Sequence, residues 1–219
     1  MAPEFTVIAR RLGIVSAAGT VFLVVVYAIT LVAGLVSLQS QQQPIGDPLF
    51  SILEILIILM MPFMVALMVA VHAWASPETK TFSLMAVVFM GLLAGLTCSL
   101  HFVILTVSHQ AAFAGQSWLA LLDFKWPSVA YALDILAWDV FFPLSVLCAA
   151  PVFGGSRLTT SIRVLMIASG VLALGGLSGV MVGDMQLRNI GIVGYVGVFL
   201  VAALLLAILF YRATPGEAT

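Results

Sequence analysis

Two aspartates five residues apart, Asp134 and Asp139, lie inside a long apolar stretch, WPSVAYALDILAWDVFF. A carboxylate is expensive to place in hydrocarbon, so such a group needs a polar partner or a proton. A carboxyl that holds its proton near neutral pH can serve as a general acid. We therefore take Asp139 and Asp134 as the first candidates for a catalytic or binding site, against the alternative that each is a structural hydrogen-bond or ion-pair partner.

His101 and Glu54 are the candidate bases that would accompany these acids. His101 follows a short polar patch that begins at Thr97, and the competing interpretation is a histidine that hydrogen-bonds between helices. Glu54 lies near the start of its apolar stretch, where a carboxylate can reach water, so a structural role is the alternative there. The sequence alone does not separate these interpretations.

Four aromatic side chains are candidates for ligand binding, because aromatic rings line apolar pockets and their faces can stabilise a cation. Tyr131 and Trp138 lie three and four residues from Asp134, on the same face of a helix. Phe142 follows Asp139 closely, and Tyr195 lies at a similar predicted depth in another stretch. Together they would surround a small hydrophobic or amphipathic ligand.

The spacing of the two aspartates has a geometric consequence. Residues five apart in a regular α-helix are separated by about 140° around its axis, so Asp134 and Asp139 are not expected to share one face. Pro143 lacks the N–H that would pair with the carbonyl of Asp139, which predicts a kink there. Asp184 and Arg188, four residues apart in a short link, are predicted to form a loop ion pair.

Composition shows what must position these side chains. The chain has 219 residues, 63% of them hydrophobic and 8% charged, with a mean hydropathy of +1.23. Soluble domains carry about 25% charged residues. We predict an all-α integral membrane protein, a single transmembrane domain over residues 1–219 that forms a six-helix bundle with short loops. Six stretches are long enough to span a bilayer, at residues 14–38, 50–75, 82–108, 128–153, 164–183 and 190–211.

The basic residues predict the orientation. Most of them fall on the side of the termini: Arg10, Arg11, Lys80, Arg157, Arg163 and Arg212. The other side has Lys125 and Arg188. Because cytoplasmic loops are enriched in Lys and Arg, both termini should be cytoplasmic, in a bacterial-type cytoplasmic membrane. The candidate acids and bases then lie in the outer half of the bilayer, whereas His72 lies near the inner surface.

The connections and glycines complete the prediction. A glutamine-rich loop at 39–44 and a long connection at 108–127, with several aromatic residues, should face outward; the latter would form a short helix, a lid or an ordinary aromatic belt. Glycines at spacing four let helices approach closely in lipid. We expect Gly175, Gly179 and Gly183, and also Gly91 and Gly95, to mark helix contacts within the monomer, with a dimer face as the less favoured alternative.

The sequence lacks the residues that several classes of membrane protein require. Gly176-Leu177-Ser178-Gly179 has the form of the rhomboid intramembrane serine protease motif, but no histidine follows it in a later span. The three histidines include no H-x-x-x-H pair, so we predict no metal and no cofactor. Cys98 and Cys148 fall in apolar runs and are expected to be small buried side chains. The absence of basic runs argues against a nucleic-acid partner.

Three functions remain open. The first is an acid–base enzyme acting on a lipid or isoprenoid from the outer half of the bilayer. The second is a small-solute transporter or substrate-capture subunit, whose acids and histidine would carry protons or bind a cationic or hydroxylated solute. The third is a non-catalytic subunit of a membrane complex. The expected partners are the lipid bilayer, a small hydrophobic or amphipathic molecule, and either further copies of this chain or a partner membrane subunit.

Overall fold

Six long helices account for most of the protein. The computed structural model describes residues 5–38, 45–108, 110–113 and 115–216, so the predicted glutamine-rich loop at 39–44 lies outside the described residues. Each helix is long and apolar enough to cross a membrane. We call them spans one to six: Val7–Val36, Leu49–Trp74, Pro77–Val107, Val129–Val152, Arg157–Val182 and Asn189–Arg212.

The helices begin earlier than hydropathy predicts where polar residues cap them. Span one starts at Val7, because the side chain of Thr6 accepts a hydrogen bond from the Ala9 N–H. Span five starts at Arg157, after a capping box between Ser156 and Thr159. Both extensions carry polar residues that would lie at the edge of a bilayer. Hydropathy therefore located the apolar centres of the spans and missed their capped ends.

Two spans contain an irregular turn. Span four consists of Val129–Ile135, a π-helical turn at Leu136–Phe141, and Phe142–Ala149, and it ends in a short 3₁₀ turn. Span six consists of Asn189–Ile192, a second π-helical turn at Val193–Val198, and Phe199–Arg212. A π turn accommodates one extra residue, with hydrogen bonds from i to i+5. Accordingly, the Phe142 N–H donates to the Ala137 carbonyl.

The spans form a closed ring in chain order. Each packs against the next, and the Phe199–Arg212 part of span six returns to pack against span one. The core is rich in methionine and phenylalanine side chains that are fully buried: Met61, Met64, Met68, Met90, Phe142, Phe199 and Phe210. Large apolar side chains such as Ile8, Phe22 and Met181 lie exposed on the outside, as expected of a surface that faces lipid rather than water.

The long connection between spans three and four contains two 3₁₀ turns, Ala111–Phe113 and Ser117–Leu121. The rings of Phe113 and Trp118 meet edge to face, with their centroids 5.1 Å apart. The predicted short helix is thus a pair of tight turns held together by aromatic contact. This connection lies at the end of the bundle away from the termini, which we call the distal end.

The glycine prediction is correct for Gly175 and Gly179 of span five and wrong for Gly183 and for the two glycines of span three. A Cβ added at Gly179 would lie 2.8 Å from backbone atoms of Asp184 and Arg188, so the turn into span six packs directly on this glycine. In contrast, Gly91 and Gly95 are exposed and face open space. Gly183 ends span five with a left-handed backbone conformation (φ 73°) and makes no close helix contact.

Candidate functional site

Five buried ionisable side chains meet at the distal end, and we call them the charge network. They come from span two, span three, span four and the turn between spans five and six: Glu54, His101, Asp134, Asp139 and Arg188. None is more than 5% exposed. The four residues predicted as acids and bases therefore lie close together laterally as well as in depth, which the sequence could not show.

Arg188 joins the two aspartates. Its Nη2 donates to Asp134 Oδ2 at 2.6 Å, and its Nε donates to Asp139 Oδ2 at 2.9 Å. The guanidinium also lies over the ring of Tyr131, 4.6 Å from the centroid, a cation–π contact. Burial by itself would lower the pKa of Arg188, but the neighbouring acidic groups outweigh it and raise that pKa. The guanidinium is therefore charged and neutralises buried carboxylates.

His101 lies between the carboxyl groups of Glu54 and Asp134. Its Nδ1 is 2.7 Å from Glu54 Oε2, and its Nε2 is 3.8 Å from Asp134 Oδ1. The contact with Glu54 is a hydrogen bond, whereas the distance to Asp134 is too long for one. Donation from Nδ1 to Glu54 would leave Nε2 as the nitrogen that can accept a proton. Nε2 is buried and has no hydrogen-bond partner in the part of the chain that the structure describes.

The π turn in span four brings the two aspartates together. A regular α-helix would place them on different faces. Here both bind one guanidinium, Asp134 through Nη2 and Asp139 through Nε. Asp134 lies in the α-helical segment just before the π turn and Asp139 lies inside it, so the wider turn reduces the angle between them. Pro143 provides a cause, since it cannot donate to the Asp139 carbonyl as a regular helix requires.

Glycines enclose the inner side of Asp139. Its side chain is fully buried, and a Cβ added at Gly191 or Gly176 would lie 2.5 or 2.8 Å from its Oδ1. These glycines belong to spans six and five, so three elements meet at this oxygen. Oδ1 has no hydrogen-bond partner among the described residues. The space beside Asp139 thus depends on the absence of side chains at both glycines.

The predicted loop ion pair between Asp184 and Arg188 is wrong. Asp184 is exposed, and its Oδ1 accepts a hydrogen bond from the Gln186 N–H at 3.0 Å. Arg188 instead turns into the bundle, where low dielectric makes the aspartates of span four much stronger partners. Sequence analysis missed Arg188 as a site residue. One signal was available: intramembrane carboxyl groups far outnumber cations in this half, so the nearest arginine was the natural counter-ion.

The predicted aromatic ligand residues divide into two groups. Tyr131 lies against Arg188 and, on its other side, Phe124 of the long connection, at a ring distance of 5.3 Å. Trp138, Phe142 and Tyr195 pack on each other below the network, with centroids 5.0 to 6.0 Å apart. Trp138 Nε1 is buried and lacks a hydrogen-bond partner among the residues described. Tyr195 lies in the second π turn, which faces the first.

Three further residues border the network. Phe124 packs on His101 from the outside, with ring centroids 5.7 Å apart. Thr97 lies one helical turn inward from His101 and is buried, with a hydroxyl that no described residue binds. Tyr27 of span one interacts electrostatically with acidic groups of the network. Phe124 and Tyr27 gave no sequence signal, because an isolated aromatic residue in an apolar or interfacial stretch is ordinary.

The arrangement can exchange a proton, because it has a basic nitrogen between two carboxyl groups. Within the described residues, no group of three or more His, Cys, Asp or Glu side chains has the arrangement to hold a metal ion. Comparisons with models of protein families, with curated proteins and with solved structures found no match.

Proposed function

We propose that the protein binds a small amphipathic molecule, bearing a hydroxyl or amino group, at the distal end of the bundle and exchanges a proton with it through His101. With the predicted orientation, this site lies in the outer half of the bilayer. The polar group of the ligand would lie beside His101 and Asp134, and its apolar part would run along the aromatic side chains. The molecule would enter from the membrane, to which the bundle presents an apolar outer surface.

The observation that carries the proposal is the buried charge network with an unused nitrogen on His101. Helices in a membrane can be joined by small residues and apolar packing, and replacing a buried ion pair by apolar residues is often neutral or stabilising. A five-membered network is thus a poor device for stability alone. Intramembrane ionisable side chains mark binding sites and proton relays by default, which supports a functional role here.

The excess of acid supports a ligand that donates hydrogen bonds rather than an anion. Three carboxyl groups face one guanidinium and one imidazole. An anionic group would be repelled by this surplus, whereas an O–H or a protonated amine would donate to Asp134 and His101. The imidazole would take the ligand's proton on Nε2, and Glu54 would stabilise the resulting imidazolium through Nδ1. The same steps in reverse return the proton.

The test is native mass spectrometry of the detergent-purified protein, with identification of the small molecules that it retains. We expect one defined amphiphile with wild type and at least a tenfold loss in His101→Gln and Asp139→Asn. His72→Gln is the matched control, because His72 is also in a span but its ring hydrogen-bonds to Ser83 at the opposite end. That variant should retain the amphiphile at the wild-type level.

Two outcomes would contradict the proposal. Equal retention by His101→Gln would show that the nitrogen is not part of the site. Recovery of bulk phospholipid alone from every protein would show that the network does not bind a selected ligand. The thermal midpoint of each variant separates loss of the ligand from loss of folding, and Asp139→Asn should still insert and fold, because an amide can accept the Arg188 hydrogen bond.

A further inference from the structure

A groove runs between spans one and six at the end that carries the termini. It has a volume of about 440 Å³ and is open to the surroundings. Its lining comes from one residue of span one and four of span six: Ile14, Ala207, Ile208, Tyr211 and Arg212. Ile14, Ala207 and Ile208 give the groove apolar walls, and Arg212 adds a charged side chain. The groove is therefore a depression in the side of the bundle, separate from the charge network at the distal end.

Three arginines lie at this end of spans one and six, and one of them lines the groove. Arg212 lines it and is exposed. Arg11 is also exposed and precedes Ile14 by three residues, which puts both on one face of span one. Arg10, next to it, is held in place by hydrogen bonds to the carbonyls of Phe210 and Tyr211. The structure shows no ion pair for Arg11 or Arg212 with any described residue.

The charges around the groove favour an anion. At this end of the bundle the described acidic residue is Glu78, which lies in the 3₁₀ turn that begins span three. Glu4 and Glu217 fall outside the described residues. The guanidinium groups of Arg11 and Arg212, which pair with no described acidic residue, are therefore available to an anion at this end of the groove. Tyr211, 70% exposed, is typical of the edge of a membrane.

We propose that this groove binds one anionic phospholipid, with an acyl chain along Ile14, Ala207 and Ile208 and its phosphate at Arg11 and Arg212. Guanidinium groups bind phosphate in a bidentate manner, and basic pockets between spans on the cytoplasmic side bind anionic headgroups. A second copy of this chain is a poorer occupant, because a symmetric dimer through this face would bring the same arginines together.

The test compares phosphatidylglycerol with phosphatidylcholine of identical acyl chains, each added to the purified full chain and measured by native mass spectrometry. Wild type should retain phosphatidylglycerol preferentially. Each arginine near an anionic surface is worth about a fivefold change in binding constant, so Arg11→Gln/Arg212→Gln should reduce the preference about 30-fold. Both side chains are exposed, so folding should be unaffected, which the thermal midpoint verifies.

Two control variants sharpen the result. Arg157→Gln/Arg163→Gln removes the same charge from exposed positions at the same end, on span five, and should leave the preference unchanged. Ala207→Phe fills the groove and should weaken retention of both lipids. Equal retention of the two lipids by wild type would overturn the proposal. So would an equal loss in the span-five control, or a dimer that Ala207→Phe dissociates, which would show a second copy in the groove.

Discussion

The two ends of the bundle use their cations differently. At the end with the termini, Lys80 donates to the His72 carbonyl at 2.6 Å, and Arg10 donates to the carbonyls of Phe210 and Tyr211 at 3.1 and 2.7 Å. These carbonyls belong to the last turns of spans two and six. At a helix end such carbonyls lack the N–H four residues further on that would pair with them inside the helix. Here a cation completes a helix end and partly faces the surroundings.

At the distal end, Arg188 is 4% exposed and binds carboxylates rather than backbone. The same functional group thus closes helices at one end and holds an acidic site together at the other. A helix terminus carries only about half a charge, whereas each aspartate carries a full one. The role of a cation near a helix terminus therefore has to be inferred from its contacts, because its position along the chain does not reveal them.

The largest effect expected from this comparison is that of Arg188→Leu. Removal of the guanidinium leaves two buried carboxyl groups without a counter-ion, which should reduce the free energy of unfolding by about 3–5 kcal/mol. Unfolding in mixed micelles with increasing denaturing detergent measures this. The triple variant Asp134→Leu/Asp139→Leu/Arg188→Met should regain most of the lost stability. A triple variant as unstable as Arg188→Leu would show that the network is needed for folding itself.

A smaller effect is expected from Gly191→Ala. The added methyl group would lie 2.5 Å from Asp139 Oδ1, and overpacking of this kind costs about 1–3 kcal/mol. Gly91→Ala is the matched control, because it faces open space and should gain up to about 1 kcal/mol from helix propensity. The same unfolding assay gives both values. Equal behaviour of the two variants would mean that Asp139 moves aside without cost.

The smallest effect is expected from Arg10→Gln at the other end. It removes hydrogen bonds to the carbonyls at the end of span six, which face partly outward, so the loss should be about 0.3–1 kcal/mol. The unfolding midpoint should therefore shift much less than in Arg188→Leu. A loss as large as that of Arg188→Leu would erase the distinction between the two ends.

The number of spans, their approximate limits and the shared depth of the acids and bases followed from hydropathy and the rise of a helix. These quantities depend on the chain locally. The contacts of Arg188 did not follow, because they depend on how closely spans four, five and six approach each other. Asp184 lies four residues from Arg188 and was the local partner that the sequence favoured, but the two do not pair in the structure.

The angle between Asp134 and Asp139 could not be predicted, for a different reason. The angle between them was calculated for a regular helix, and one extra residue in a turn changes it. Pro143 gave a partial signal, since it predicted a disturbance at the correct carbonyl. It did not specify a π turn rather than a simple kink. The four predicted residues do lie together in the structure, whereas their mutual geometry could not be read from the sequence.

The paired π turns have a consequence for the history of the protein. Each turn amounts to a single-residue insertion in a helix, and such an insertion rotates everything before it relative to everything after it. Trp138 of one turn and Tyr195 of the other are in ring contact at 5.0 Å, so one insertion without the other would misalign this pair. We expect homologues to carry one-residue gaps in spans four and six together, or in neither.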